Sequence, residues 1–394
     1  MREVVISNSA LNEILSLSRS DKVKAVAAVK LGELGLPNKK TEHYRYFSID
    51  SLLSRSYELS ECGAGEISEG DRIEIVNGVV KKAPKGVSVK VVKEAFLDEN
   101  HYDSVYYINH AFTKEVILIE LQDGAKVDIK HIFDKERSLV SYRIALVVKE
   151  GAKAEIFEEF EGKKAKESLI FYGFDTKVEK GACLIHNRIQ DVLEPSYAMI
   201  ASHSINSLSG SKTVVRTYDM GEGKILHNLK MDLQKEAICE AKHLVYTDYE
   251  AQRANIVKII HKEERVVTSQ EARHVLKDRS RAVFDAVIKV ENEAKGAIAH
   301  QNNKSVLLND KAHMVSKPQL EIYIDELEAS HGSTTGTIDE EELFYLRTRG
   351  IKEKEAKKMI VLGFMKEIID EIEDKERAED IYERFEAVFK RDMR

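Results

Sequence analysis

Apolar residues along this chain of 394 residues follow three successive spacings. The first is helical. After Ser7, Asn8 and Ser9, which are suited to capping, Leu11, Ile14, Leu15 and Leu17 recur at helical intervals. Val23, Val26, Val29 and Leu31 follow beyond a polar break, and Gly35 and Pro37 stop the run. The pattern predicts a helical hairpin. A basic, aromatic stretch, PNKKTEHYRYFSIDSLLSR, comes next, then a segment rich in glycine and charge. Together they read as a small irregular α/β piece ending near residue 100.

From about Tyr106 the period becomes two. EVILIELQDGAKVDIKHIF and RIALVVKEGAKAEIFEEFEG are short apolar runs broken at Gly124 and Gly151, and VEKGACLIHNRIQ repeats the turn at Gly181. Strand, GA turn, strand is thus a weak internal repeat. In ILHNLKMDL, Leu229, Met231 and Leu233 share one face, and Asn228, Lys230 and Asp232 share the other. No amphipathic segment of helix length stands between Gly151 and Ser330, which argues against βαβ units. An antiparallel sandwich, a barrel and a strand solenoid remain. Asn-Gly and Asp-Gly turns are scarce over 200–330, which fits parallel stacked rungs better and leaves the sandwich open.

Helical spacing returns at the end. Asp339 to Glu342 form an acidic helix start, and Gly350 fits a stop. Ile360, Leu362 and Phe364, then Ile368, Ile369 and Ile372, then Ile381, Phe385 and Val388 mark the apolar positions of further helices.

Composition narrows the function. With 43% hydrophobic and 33% charged residues the chain is globular, and a net charge of −7 gives no support to general binding of phosphate backbones. No apolar run approaches the roughly 18 residues of a membrane span, and the N-terminus lacks a signal pattern, so a cytoplasmic location is expected. Cys62, Cys183 and Cys239 stand far apart without a CxxC pair. That excludes a disulfide framework and a four-cysteine metal site, and lone cysteines of this kind read as buried hydrophobes. RTYDMGEGKIL lacks Walker spacing, and no GxGxxG, HExxH, GxSxG or kinase signature occurs. Any nucleotide chemistry then belongs to a partner.

Three clusters carry candidate chemistry. His331, in ASHGSTTG, sits among small residues that leave an imidazole accessible, as a metal ligand or as a hydrogen-bonded residue of a polar turn. His227, His243 and His261 recur at intervals that would stack them in one column if a rung had that period; polar outward strand faces are the plainer reading. Arg45 among Tyr44, Tyr46 and Phe47 has the composition of a base-stacking patch, but the acidic balance favours a structural aromatic cluster.

At KPQLEIYIDELEASHGSTTGTIDEEELFYLRTRGI the sequence resembles the SufB/SufD family of iron–sulfur cluster assembly proteins, and within it the SufD branch. Matching elements run from Pro318 to Ile322, Ser330 to Gly336 and Ile338 to Ile351. The rung-like AVIKVENEAKGAIAHQNNKSVLLNDKAHM, the N-terminal PNKKTEHYRYFSIDSLL and NHAFTKEVILIELQDGAKV are similar to family segments as well. The resemblance implies a mainly β fold, a right-handed parallel β-helix core flanked by N-terminal and C-terminal helical regions. The boundaries it suggests are 1–100 for the N-terminal region, 101–337 for the β-helix and 338–394 for the C-terminal helices.

It further implies a non-enzymatic scaffold that pairs with SufB, or with itself, through the β-helix end. The C-terminal helices would bind the ATPase SufC. A transient iron–sulfur cluster would form at the subunit interface, with no permanently bound cofactor, and neither nucleic acid nor membrane is an expected partner. Carried over residue by residue, His331 becomes the iron or cluster ligand at the SufB interface. Ala329 stands where some members have a cysteine, so this stretch brings an imidazole and no thiolate. Phe344, Tyr345, Arg347 and Arg349 become the SufC contact, against a competing reading in which Phe344 and Leu346 are core. Two other classes remain: a β-helix carbohydrate-active enzyme, disfavoured by the absence of tryptophan platforms and of a concentrated carboxylate set, and an iron-independent interaction solenoid.

Overall fold

The computed structural model describes residues 3–11, 21–60, 65–162 and 164–391. Ile14, Leu15, Leu17 and Cys62 lie outside the described residues. The core is a parallel β-solenoid of about eight coils. Each coil contributes one strand to each of two facing sheets. In one sheet, consecutive strands such as Leu169–Val178, Ala198–Ser207, Lys224–Leu233 and Gln252–His261 pair in parallel register with one another. The second sheet stacks Lys153–Glu161, Cys183–Gln190, Lys212–Asp219, Ile238–Thr247 and their successors in the same way. The parallel pairing excludes the antiparallel sandwich left open by the sequence. Ser104–Phe112 is helix, so the period-two region begins at the strand Val116–Leu121 and not at Tyr106.

Alternation places every second side chain between the sheets. Leu229, Met231 and Leu233 lie in this interior core with Val127, Ile156, Val215 and Ala241. The opposite face of the same strand does not meet water: Asn228 and Lys230 are also buried. An N-terminal layer covers them, built by helix α1 (Lys22–Leu34), α2 (Ile49–Leu53) and α3 (Ser104–Phe112). Ser7 accepts from the Ala10 amide at 3.3 Å, Gly35 closes α1 at φ 72°, and Ala27 and Leu31 face inward while Val29 is exposed. Tyr44 and Phe47 are buried in this layer, the structural cluster expected of that segment, and the Tyr44 hydroxyl donates to Asp103.

The outer face of the second sheet is covered by α4 (Glu340–Thr348), α5 (Glu353–Ile369) and α6 (Lys375–Arg391). Leu362, Met365, Ile368 and Ile369 of α5 and Ile381 and Phe385 of α6 pack on Phe157, Ile189, Tyr218 and Leu244. Ion pairs pin the helices at the edges of this apolar contact. Arg384 reaches Asp191 at 3.0 Å, Arg377 reaches Asp128 at 2.8 Å, and Arg273 and Lys242 pair with Glu367 and Glu371.

The two ends of the stack differ. At the start, Ile73–Val76 and Ser56–Leu59 add strands to the two sheets. At the finish, His313–Ile322 and Leu327–Gly336 each pair on one side only among the described residues, with Arg281–Val290 and Ala297–Leu307.

Candidate functional site

The open last rung presents unpaired backbone groups on both sheets, which is a template for another chain. His331 lies in the middle of the strand Leu327–Gly336, opposite Gln301, so the polar turn read around it is a strand. Ala329 and Leu327, two and four residues before it on the same strand, point the same way and pack against the interior core. His331 therefore continues an inward-facing column that runs back through Gln301, Gln270 and Ala241. Because no rung covers it, His331 is exposed. Ser330 faces outward, where its hydroxyl sits 2.8 Å from the His300 Nδ1, and His300 also approaches Glu328 at 3.4 Å.

Among the described residues no group of three or more His, Cys, Asp and Glu side chains is placed to hold a metal ion. A metal or cluster at His331 would need its remaining ligands from a second chain. Neither of the two described thiols offers one here: Cys239 is buried beside Met231 and Cys183 lies far back along the stack, with burial pushing both thiols up. Burial and inertness match the reading of Cys239 as a small hydrophobe.

The second surface is α4. Asp339 caps it, accepting from the Glu341 and Glu342 amides at 2.8 and 3.2 Å, and Gly350 ends it at φ 82°. Only Leu343 of this helix is buried. Phe344 and Tyr345 are 68% and 55% exposed, which overturns the core reading of Phe344; Leu346 is the partly buried one. Arg349 donates to the Tyr345 hydroxyl at 3.0 Å and lies 5.2 Å from its ring centre, while Arg347 reaches Glu353 at 3.6 Å. Beside them Met359 of α5 is 52% exposed, and a groove of about 470 Å³ lined by Ile338, Leu346, Ile360 and Phe364 separates α4 from α5. Exposed aromatics over an apolar groove with two flanking guanidiniums suit a protein partner.

His227, His243 and His261 occupy neither a single column nor an outward face. His227 and His261 belong to one sheet at different registers, against Asn255 and Leu233, and His243 belongs to the facing sheet. Their sequence interval spans one strand and its corner, which is half a coil. All three are buried and face the space between the sheets, His261 lying 2.7 Å from the Thr268 hydroxyl of the facing sheet. Sequence periodicity had no means of separating the inside of a solenoid from its outside, because both faces of each strand are covered.

The model of the family described as "SUF system FeS cluster assembly, SufBD core domain" matches residues 131–364, more than half of the chain. The chain belongs to the SufBD family. Within it the likeness is to SufD proteins. The iron–sulfur cluster assembly protein SufD of Escherichia coli is 26% identical over 384 residues, 86% of each chain. SufD of Plasmodium falciparum is 25% identical over 61% of this chain and 17% of its own length. A SufBD family protein of Synechocystis is 30% identical over 41% of this chain and 37% of its own. The matched region of this SufBD chain contains the last rung, α4 and the larger part of α5, so both candidate surfaces lie within it.

Proposed function

We propose that this SufD-like chain is a scaffold subunit on which iron–sulfur clusters are assembled. It pairs through its open last rung with a SufB-type chain, or with a second copy of itself, and it carries a SufC-type ATPase on α4 and α5. The observation that carries the proposal is the uncapped final coil, which brings one exposed imidazole to an edge that needs a partner. A single imidazole does not hold a cluster, and Ala329 offers no thiolate, so the sulfur-bearing ligands come from the partner across the edge. Iron and sulfide are then cargo at the interface, and His331 is the iron ligand contributed from this side. Phe344 and Tyr345 enter the ATPase, with Arg347 and Arg349 pairing to its carboxylates.

The test is co-purification with SufB- and SufC-type proteins, followed by anaerobic iron and sulfide analysis. Phe344→Ala with Tyr345→Ala should release the ATPase and leave this chain folded, since neither side chain is buried. His331→Ala should leave the complex assembled and markedly lower its iron and sulfide. A chain that stays monomeric in the presence of both proteins refutes the scaffold role. Unchanged iron and sulfide with His331→Ala refutes the ligand role and favours an interaction solenoid without iron.

A further inference from the structure

The interior of the solenoid holds polar groups among its apolar ones, and some are mutually paired, as Glu158 is with His131 and His186 and Gln270 is with Gln301. Midway down the stack His227, His243, Asn255 and His274 are all at most 4% exposed and all face the space between the sheets. His243 has no hydrogen-bond partner for either ring nitrogen, Asn255 has none for its amide oxygen or nitrogen, and His227 Nδ1 and His274 Nε2 have none. His227 and Asn255 are register neighbours on one sheet. Facing them, His243 and His274 lie on adjacent strands of the other sheet, 6.5 and 5.9 Å from the ring of Phe284. Buried polar groups are almost always paired, and these unpartnered atoms gathered in one place point to a shared ligand that is both donor and acceptor.

The group has a polar exit. His274 Nδ1 lies 3.0 Å from Asn303 Oδ1, and Asn303 Nδ2 donates to Ser316 Oγ at 3.0 Å and to Ser333 Oγ at 3.4 Å. The Ser316 and Ser333 hydroxyls, 2.8 Å apart, stand on the open last rung. Inward of the group, Asp219 Oδ2 lies 3.4 Å from His227 Nε2 and Asp219 Oδ1 accepts from Arg253 Nε. Phe284, Val257 and Leu229 leave the remaining walls apolar, so the polar line is narrow.

We propose that His227, His243, Asn255 and His274 bind a file of water molecules inside the solenoid, and that these waters exchange with solvent past Asn303 at the open last rung. Water both donates and accepts, as imidazole and amide groups without protein partners require. Asn303 forms the neck between the file and the last rung.

The test uses the isolated chain, with neither iron nor partner, so that its outcome is independent of cluster assembly. A high-resolution crystal structure should show ordered water within hydrogen-bond distance of His243 Nδ1 or Nε2 and of His227 Nδ1. In nuclear magnetic resonance, the ring N–H of His243 should exchange with solvent on the order of a hundredfold faster than the backbone amides of Ile238–Thr247 around it. Asn303→Leu should slow that ring exchange and leave the amides unchanged. Direct side-chain contacts in place of water, or a His243 ring proton as protected as its neighbouring amides, overturns the proposal on the unmodified protein, whatever the variant does.

Discussion

A β-carbon on Gly173 would fall 2.1 Å from the Ser202 carbonyl oxygen and 2.5 Å from Arg143 Nη1. The crowding has a purpose: the fully buried Arg143 guanidinium lies across this glycine. It meets Asp175 at 2.9 and 3.0 Å, Asn109 of α3 at 2.7 Å and the Ser202 carbonyl at 3.2 Å. One cation thus joins three rungs to the N-terminal layer, and its charge holds Asp175 well below the usual carboxylate range against the opposing effect of burial. Gly173→Ala must displace backbone or guanidinium and should cost about 3 kcal/mol, read as a lower urea midpoint at unchanged slope. The buried imidazoles make a second prediction at this scale. Burial holds His243 down to about 3 and His110, His227 and His274 down to about 4. An unfolded imidazole titrates near 6.5, so below that pH the unfolded chain binds more protons than the folded one. Stability is therefore complete above about pH 7 and falls as the pH drops toward 4, by about 1 kcal/mol for each such histidine at pH 5.5. Urea midpoints at pH 7.5 and 5.5 measure it, and equal midpoints would contradict the burial of these rings. None of this was legible in the sequence, where Arg143, Asp175 and the histidines are separated by tens of residues. His331 was singled out because its whole neighbourhood resembles a known segment, whereas its strand geometry was masked by the small residues that normally mark a turn.

The strand–GA–strand repeat turns out to be a corner of the solenoid. Gly124, Gly151, Gly181 and Gly210 all have φ between 64° and 75°, and each donates its amide to the next coil: Gly124 to Lys153, Gly151 to Lys180, Gly181 to Ser209 and Gly210 to Lys235. The ladder continues through Glu236 and Arg265, at φ 59° and 56°, and through Gly296. There a side chain sits in the left-handed region, so the sequence repeat fades while the structural one persists. At the fourth corner Gly210 remains but Ser211 replaces the alanine, so only the first three copies were visible. Nothing lies within 4 Å of a β-carbon placed on Gly151, so Gly151→Ala tests conformation alone. It should cost about 1–2 kcal/mol, and Gly151→Asn less, because asparagine tolerates this region. Equal stability of all three proteins, measured by urea unfolding, would show that the corner is not strained. The C-terminal helices were legible in outline from their apolar spacing and from Gly350. The orientation of α4 was not, since Leu343 and Phe344 are equally apolar and only the packing decides that the first is buried and the second exposed.

Across the whole molecule, stability in a stacked solenoid is close to a sum over neighbouring coils, so a coil with one neighbour is held less firmly than a coil with two. Both faces of the middle coils are also roofed, one by the N-terminal layer and the other by α5 and α6. The last coil lacks these supports: Ile322 and Tyr323 are 41% and 58% exposed at its margin, and most of Leu327–Gly336 is exposed. Natural proteins cover or charge such an edge unless something else pairs with it, and here the stretch from Ala329 to Gly336 carries no Asp, Glu, Lys or Arg. The asymmetry between the ends predicts a gradient in hydrogen exchange. Peptides from His313–Ile322 and Leu327–Gly336 should exchange on the order of a hundredfold faster than those from Lys224–Leu233 and Ile238–Thr247. Addition of a SufB-type partner should slow the first pair of peptides and leave the second unchanged. A SufC-type partner should instead protect Glu340–Thr348, because α4 is a separate surface from the strand edge. Protection of the middle coils by either partner, with the last rung unaffected, would place the contacts on the roofed faces and remove the strand edge as the interface.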